Sequence, residues 1–402
     1  MHKSLHNLYL LNVLALVGIG AVMVFSSSAI AELPGSDADP FLFIKRHGMF
    51  LLFGLVSMLA ISRMDHTRLQ TLAKPLYIFG LALLVVTLLP GIGTSYNGAR
   101  RWLRFGGVGF QTTDFAKIAL LIAAAAFAVA RKDKLGTFKQ GFIPACGFVG
   151  VYAVLSMAQP DLGTSIFLMV SSFVVLLAGG LRGRHLLLVL LIILPLAGGV
   201  MFTKFDHVKQ RVLTFMDPEY DPQGKGHQVR QSLIAVGSGG LDGQGLGQSR
   251  QKLFYLPEQE TDFIFAVLSE ELGFVGSAFT LVLFGTLMLL GVAVAARAPD
   301  RFGSLLALGV TAAIGIQACM NVAVVTASVP TKGIGLPFIS FGGSACFFYL
   351  TGVGVVLSVA RRAVGAKQAN QLGIDESMAA ESDRVAATPP CAIAAKPVAA
   401  VA

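Results

Sequence analysis

Runs of about 20 mainly apolar residues, each long enough to cross a bilayer, recur at 8–30, 46–62, 73–90, 112–130, 142–158, 164–180, 185–203, 262–295, 303–326 and 345–360. In lipid every backbone N–H and C=O must find a partner, and a helix satisfies them within its own segment. The pattern predicts an all-α integral membrane protein with about ten transmembrane helices. Charged residues are 13% of the 402, about half the usual share of about 25%, which is too little to clothe several soluble domains. The stretch 262–295 is long for one crossing, and its first turns are expected at the interface.

The turns between the runs alternate in charge. Arg63, Arg68 and Lys74 follow the second run, and Arg131, Lys132, Lys134 and Lys139 the fourth. Arg182 and Arg184 follow the sixth, Arg297 and Arg301 the eighth, and Arg361, Arg362 and Lys367 the tenth. Basic turns mark the cytoplasmic side, so both termini are placed there. The outer side then receives 31–45, 91–111, 159–163, 204–261 and 327–344. Ala29-Ile30-Ala31 after the first run imitates a signal cleavage site, but the run is long enough to span, and it is read as retained. Residues 1–362 form the membrane domain, with a large ordered outer loop at 204–261 between helices 7 and 8. Residues 363–402 are rich in Ala, Ser, Pro and Glu with no apolar period, which predicts a disordered cytoplasmic tail.

Several function classes drop out. The net charge of +9 lies in cytoplasmic turns rather than in a basic run with aromatics, so nucleic acid is not the partner. The four cysteines, Cys146, Cys319, Cys346 and Cys391, make no CxxC pair; three sit in apolar runs as small hydrophobes. The glycines at 237–247 follow no strand and precede no Gly-Lys-Ser/Thr, so they do not form a phosphate loop. No HExxH motif occurs.

The outer segments carry the chemistry. Asp262, in Thr261-Asp262-Phe263-Ile264-Phe265, reads in two ways. It is a first-turn carboxylate at the positive end of a helix dipole, or a general base whose pKa is raised by apolar surroundings and by Glu258 and Glu260. Spacing alone favours the first. Lys117 lies three residues after Asp114 on one helix face; the two form a structural pair, or Lys117 faces an anion in a watery cavity. Arg100-Arg101-Trp102 carries the only Trp. It is an interfacial anchor or, through Arg101, a phosphate clamp, and Arg46 has the same two readings. Asp161, in Gln159-Pro160-Asp161-Leu162-Gly163, caps the next helix or faces the outer cavity. The Gly/Pro-rich stretch Pro330 to Ser344, with Lys332 as a substrate-binding candidate, is expected to line a cavity, since irregular backbone at membrane depth needs one.

Taken together, Val22 to Ala29, Asn97 to Trp102, Gln159 to Thr164, Gln231 to Gly240, Lys252 to Asp262 and Pro330 to Ser344 resemble the SEDS family (shape, elongation, division, sporulation), in family order over roughly 8–362. The Ser-rich end of the first run, Gln231-Ser232-Leu233 and Gly245 to Ser249 point to its division branch rather than its elongation branch. The resemblance implies a ten-helix peptidoglycan glycosyltransferase that polymerises lipid II on the outer face of the cytoplasmic membrane, at the septum. It implies a class B penicillin-binding protein as partner, beside other divisome membrane proteins. It makes Asp262 catalytic, and assigns substrate roles to Trp102, Lys117 and Asp161. A divalent cation (Mg or Mn) held by Asp262 and Asp161 is a candidate cofactor. The sequence departs from the family at Thr112-Thr113-Asp114, where Pro-Ser-Glu is usual, and at Glu260, where His is usual. The rival readings are a lipid II flippase and a non-catalytic division scaffold. Clustering of the motifs near the outer face favours the enzyme.

Overall fold

A computed structural model describes residues 2–28, 42–96, 99–105, 108–191, 199, 206–217, 220–221, 224–252 and 256–371. Twelve helices are described: α1 (His2–Ser28), α2 (Leu42–Arg63), α3 (Thr67–Leu88), α4 (Thr112–Ala130), α5 (Ile143–Ala158), α6 (Leu162–Ala178), α7 (183–191), α8 (Asp206–Met216), α9 (Lys225–Ser238), α10 (Ile264–Ala296), α11 (Arg301–Val325) and α12 (Ser344–Gln371). Eight helical segments among the described residues are long and apolar enough to cross a membrane, one of them being α5 together with the π-helical turn Phe138–Phe142 that leads into it, and α6 is a shorter apolar helix. The crossing expected at 185–203 lies mostly outside the described residues. So do Ala29-Ile30-Ala31, Cys391 and the expected tail from residue 372 onward; before that, α12 continues as helix past 362 to Gln371.

The chain is a helical membrane protein, and its burial is arranged for lipid. Helices α4, α11 and α12 form the interior, with Ala124, Leu306 and Val356 fully enclosed. Phe53 and Val56 of α2 and Phe279 and Val282 of α10 face outward, where apolar side chains meet hydrocarbon. Cys319 also faces outward while Cys346 is buried, so the thiols read as small hydrophobes divide between lipid and core. Close packing relies on small residues. A Cβ at Gly20 of α1 would lie 2.1 Å from the Phe338 carbonyl oxygen, so only glycine lets this helix approach that stretch. Side-chain caps start α6 and α11: Asp161 accepts from the Thr164 N–H at 3.0 Å and Asp300 from the Gly303 N–H at 2.7 Å.

Two features depart from the sequence expectations. The segment after α3 forms a small antiparallel sheet, β1 (Thr94–Tyr96), β2 (Ala99–Phe105) and β3 (Val108–Gln111), in the order β1-β2-β3. Trp102 pairs with Gln111 and Arg104 with Gly109. The second departure is in α10, which is not one continuous helix. Residues 264–271 are all buried in the bundle, and the helix breaks at Gly273, with φ 66°. The Ser277 hydroxyl donates to Ser269 Oγ at 2.9 Å. In a straight helix eight residues rise about 12 Å, so the two arms fold sharply back on one another. The elbow's backbone groups are met by the glycine-rich loop after α9. Gln244 and Gly245 N–H bond to the Glu270 and Glu271 carbonyls at 2.9 and 3.0 Å, and Phe274 and Val275 N–H to the Gly240 and Leu241 carbonyls at 2.9 and 3.2 Å.

Candidate active site

At the end of the bundle bearing the sheet, α9 and the elbow lies a cavity of about 1170 Å³. Asp262, Arg46, Arg101, Trp102, Lys117 and Lys332 all line it. Six of the seven side chains singled out from the sequence thus meet in one space, although they come from α2, β2, α4, the turn before α10 and the stretch 330–344.

Asp262 sits in the turn before the re-entrant arm of α10. The N–H groups of Thr261, Asp262 and Phe263 all point to the Glu258 carbonyl, at 3.2, 3.1 and 3.2 Å. The turn is held on a second side, where the Ser340 hydroxyl donates to the Thr261 carbonyl at 2.5 Å and the Phe341 N–H to the Glu260 carbonyl at 2.8 Å. The N-cap of the helix is Phe263, without a side-chain bond, and the first turn holds no acidic residue, so Asp262 stands just ahead of the first turn rather than in it. Burial pushes its pKa up to about 7, the nearby Glu258 charge adds to the rise, and Arg101 opposes it. Glu260 is also raised, first by burial. A carboxylate in this range exchanges a proton near neutral pH, as a general base must.

The cations are arranged around it. Lys117 pairs with Asp114 at 3.0 Å, and Asp114 also accepts from the Ser344 hydroxyl at 2.9 Å. The Lys117 ammonium stands 5.3 Å from the Phe167 ring centroid and reaches Gln317 Oε1 at 3.5 Å. Lys117 is therefore both the structural pair and a cavity residue, and the two readings of its spacing are compatible. Arg101 pairs with Asp161 at 3.1 Å. Asp161 does not reach the cavity wall. Its oxygens accept from the Thr164 N–H and, at 2.7 Å, the Thr164 hydroxyl, so it caps α6 and holds Arg101 from behind. With both its oxygens engaged, Asp161 does not fit as a partner of Asp262 in holding a divalent cation, and among the described residues no group of three or more His, Cys, Asp and Glu could hold one. Trp102 packs over Gly109 of β3 and Arg104 joins it at the wall.

Sequence reasoning missed Gln317 and Asn321 of α11. Asn321 donates to the Asp262 carbonyl at 2.8 Å and the Ile334 carbonyl at 2.7 Å, and Gln317 to the Gly335 carbonyl at 2.9 Å. Two amides four residues apart inside an apolar run were a visible signal, since polar side chains there are costly and usually functional.

Gly333 faces Asp262 directly: a Cβ there would lie 3.1 Å from Asp262 Oδ2. Gly333→Ala is expected to displace the carboxylate by a few tenths of an ångström. On the scale where about 1 Å of misplacement costs about 10²-fold, turnover should fall several-fold. The unfolding midpoint should stay unchanged, which is checked by steady-state rates beside a thermal melt of the same preparation.

Comparison with known proteins agrees with this architecture. A relative from Bacillus subtilis, stage V sporulation protein E, is 42% identical over 348 residues, covering 87% of this chain and 94% of that protein. A probable peptidoglycan glycosyltransferase FtsW from a Geobacter species is 40% identical over 347 residues, covering 86% and 94%. Among solved structures, a chain from "Structural coordination of polymerization and crosslinking by a peptidoglycan synthase complex" superposes with a TM-score of 0.74 at 29% identity, covering 88% of this chain and 97% of that one. The rod shape determining protein RodA of Thermus thermophilus gives 0.64 at 29% identity, covering 88% and 95%. The family profile described as "Cell cycle protein", which joins FtsW, RodA and SpoVE, matches residues 6–364, and the chain belongs to that SEDS family.

Proposed function

We propose that the protein is a peptidoglycan glycosyltransferase that polymerises lipid II into glycan strands at the outer face of the cytoplasmic membrane, in the division branch of its family. The observation that carries this reading is the Asp262 carboxylate, recessed in one cavity together with Arg46, Arg101, Lys117 and Lys332; its raised pKa suits it to the role of base. Basic turns at the opposite end of the bundle support an extracytoplasmic cavity and cytoplasmic termini. The solved peptidoglycan synthase complex, described as coordinating polymerization and crosslinking, supports a class B penicillin-binding protein that cross-links the product as partner; a place at the septum beside other divisome membrane proteins goes with the division branch.

In this mechanism Asp262 takes the proton of the acceptor sugar's 4-hydroxyl. The freed oxygen attacks the donor's anomeric carbon and forms the new C–O bond as the bond to undecaprenyl diphosphate breaks. Attack from the opposite face turns an α linkage into a β linkage. The leaving diphosphate gains negative charge, and preorganised cations stabilise it without reorganising. Arg46, Arg101, Lys117 and Lys332 supply that charge, with Trp102 giving the sugar an apolar wall. The rival transporter needs a passage reaching both ends of the bundle, whereas the cavity's lining residues all come from one end.

The decisive experiment supplies lipid II to the purified chain in detergent, where sidedness does not exist. Glycan polymer supports the enzyme. Absence of polymer together with lipid movement in vesicles supports the transporter.

The pH dependence is a second check. Asp262 works deprotonated, so the rate should rise with pH through about 7 and fall tenfold per unit well below it. Glu258 raises this pKa by like charge. Glu258→Gln should therefore move the acid limb to lower pH. Initial rates across the neutral range measure both, and an unmoved limb rejects Glu258 as the source of the shift.

A further inference from the structure

Two uncharged side chains on α11 join the parts of the cavity that bear its charges. Gln317 and Asn321 lie one helical turn apart and share a face. The Asn321 amide, fully enclosed, bridges the Asp262 carbonyl (2.8 Å) and the Ile334 carbonyl (2.7 Å). Gln317 donates to the Gly335 carbonyl (2.9 Å), and its oxygen accepts from Lys117 (3.5 Å). One face of one helix thus meets, in order, the ammonium of α4, the irregular stretch 330–344 and the turn carrying Asp262. Both the Asp262 turn and that stretch are non-helical backbone, whose carbonyls at membrane depth need a protein donor. The hydroxyl of Ser340 grips the neighbouring Thr261 carbonyl, so the turn is held from two directions. α11 itself is capped and packed along its length against α10 and α6, which makes it a rigid mount.

We propose that Asn321 is a positioning residue, with Gln317 as its second anchor, that fixes where the Asp262 carboxylate stands relative to the Lys117 side of the cavity. This rests on the reading of Asp262 as the base. Asn321 does not line the cavity, so it acts through Asp262 rather than on the sugar.

The test uses the full chain in detergent with lipid II. Asn321→Leu keeps the volume and removes both donors; Asn321→Ser keeps one hydroxyl donor. The expected result for Asn321→Leu is a fall in kcat of about 10- to 100-fold with KM for lipid II within about twofold. The acid limb of the rate should move to lower pH, because a loosened Asp262 turns toward water. Asn321→Ser should lie between Asn321→Leu and the parent. A merely structural role would reduce the active fraction and leave the acid limb in place, and that result overturns the proposal. Where Asn321→Leu does not fold, Asn321→Ser carries the comparison, and parental kcat with a parental limb overturns the proposal equally. Asp262→Asn is measured alongside. If it retains full rate, the base assignment has failed. If it is inactive while the Asn321 variants keep kcat and limb, the positioning proposal alone has failed.

Discussion

Asp262→Asn is expected to lower lipid II polymerisation by about 10²–10⁴-fold, the usual contribution of a placed general base, with the fold intact. The substitution keeps the volume and planar shape of the side chain and removes its negative charge and its ability to take up a proton. The backbone contacts that fix the turn involve the Asp262 carbonyl and N–H rather than its carboxylate, so the turn survives. Stability should not suffer. A carboxylate whose folded pKa is raised to about 7 above the ordinary value near 4 loses folding stability as it ionises. The neutral amide is therefore neutral to mildly stabilising above pH 7. Polymer length and rate by gel, with a thermal melt of the same preparation, check both halves. Near-parental synthesis by the Asn variant would reject the base, and a collapsed melt would show that the carboxylate is structural.

The helices were legible because lipid leaves the sequence little choice: long apolar runs punctuated by arginines can satisfy their backbone in few other ways. The site was legible residue by residue, since charges near a membrane edge stand out, but not in its connections. Asp161 illustrates this. Its position suggested a cap or a cavity residue, and the structure gives it the cap and a grip on Arg101 instead of the cavity. The small sheet had a local signal that the arginines obscured. Asn97-Gly98 and Gly106-Gly107 stand between its strands, and such pairs favour two-residue hairpin turns. The folding back of α10 was not legible from hydropathy, because both arms are apolar. Only the pair Glu270–Glu271 followed shortly by Gly273 hinted that the run was two helices. Burying two carboxylates requires partners, and those partners are distant in sequence.

These partners set the largest expected effect on stability. Lys252 and Glu271 form an ion pair at 2.8 Å, with side chains 1% and 0% exposed. Ser26 of α1 donates to both Glu271 oxygens, at 2.8 and 2.7 Å. Glu270 beside it accepts from the Ser249 hydroxyl and from the Arg250 N–H. The two carboxylates thus bolt the loop after α9, and through Ser26 also α1, onto the re-entrant arm that begins just after Asp262. Lys252→Met leaves Glu271 buried without a countercharge, which should cost about 3–5 kcal/mol, a large part of a typical stability of about 5–15 kcal/mol. The expected outcome is a markedly lower melting temperature and poor recovery of monodisperse protein. Adding Glu271→Leu removes the orphaned charge, and replacing a buried pair by apolar side chains is often neutral or stabilising. The double variant should therefore regain most of the melting temperature. If it remains as unstable as Lys252→Met, the defect lies in lost packing at Lys252 rather than in an unpaired charge. If Lys252→Met melts like the parent, the pair is not what holds the elbow to α1. Polymerisation by the double variant then separates two uses of the same contact. Recovery of both stability and rate would make the pair a strut for folding alone, while recovery of stability without rate would mean that its directed hydrogen bonds also set the angle of the arm beneath Asp262.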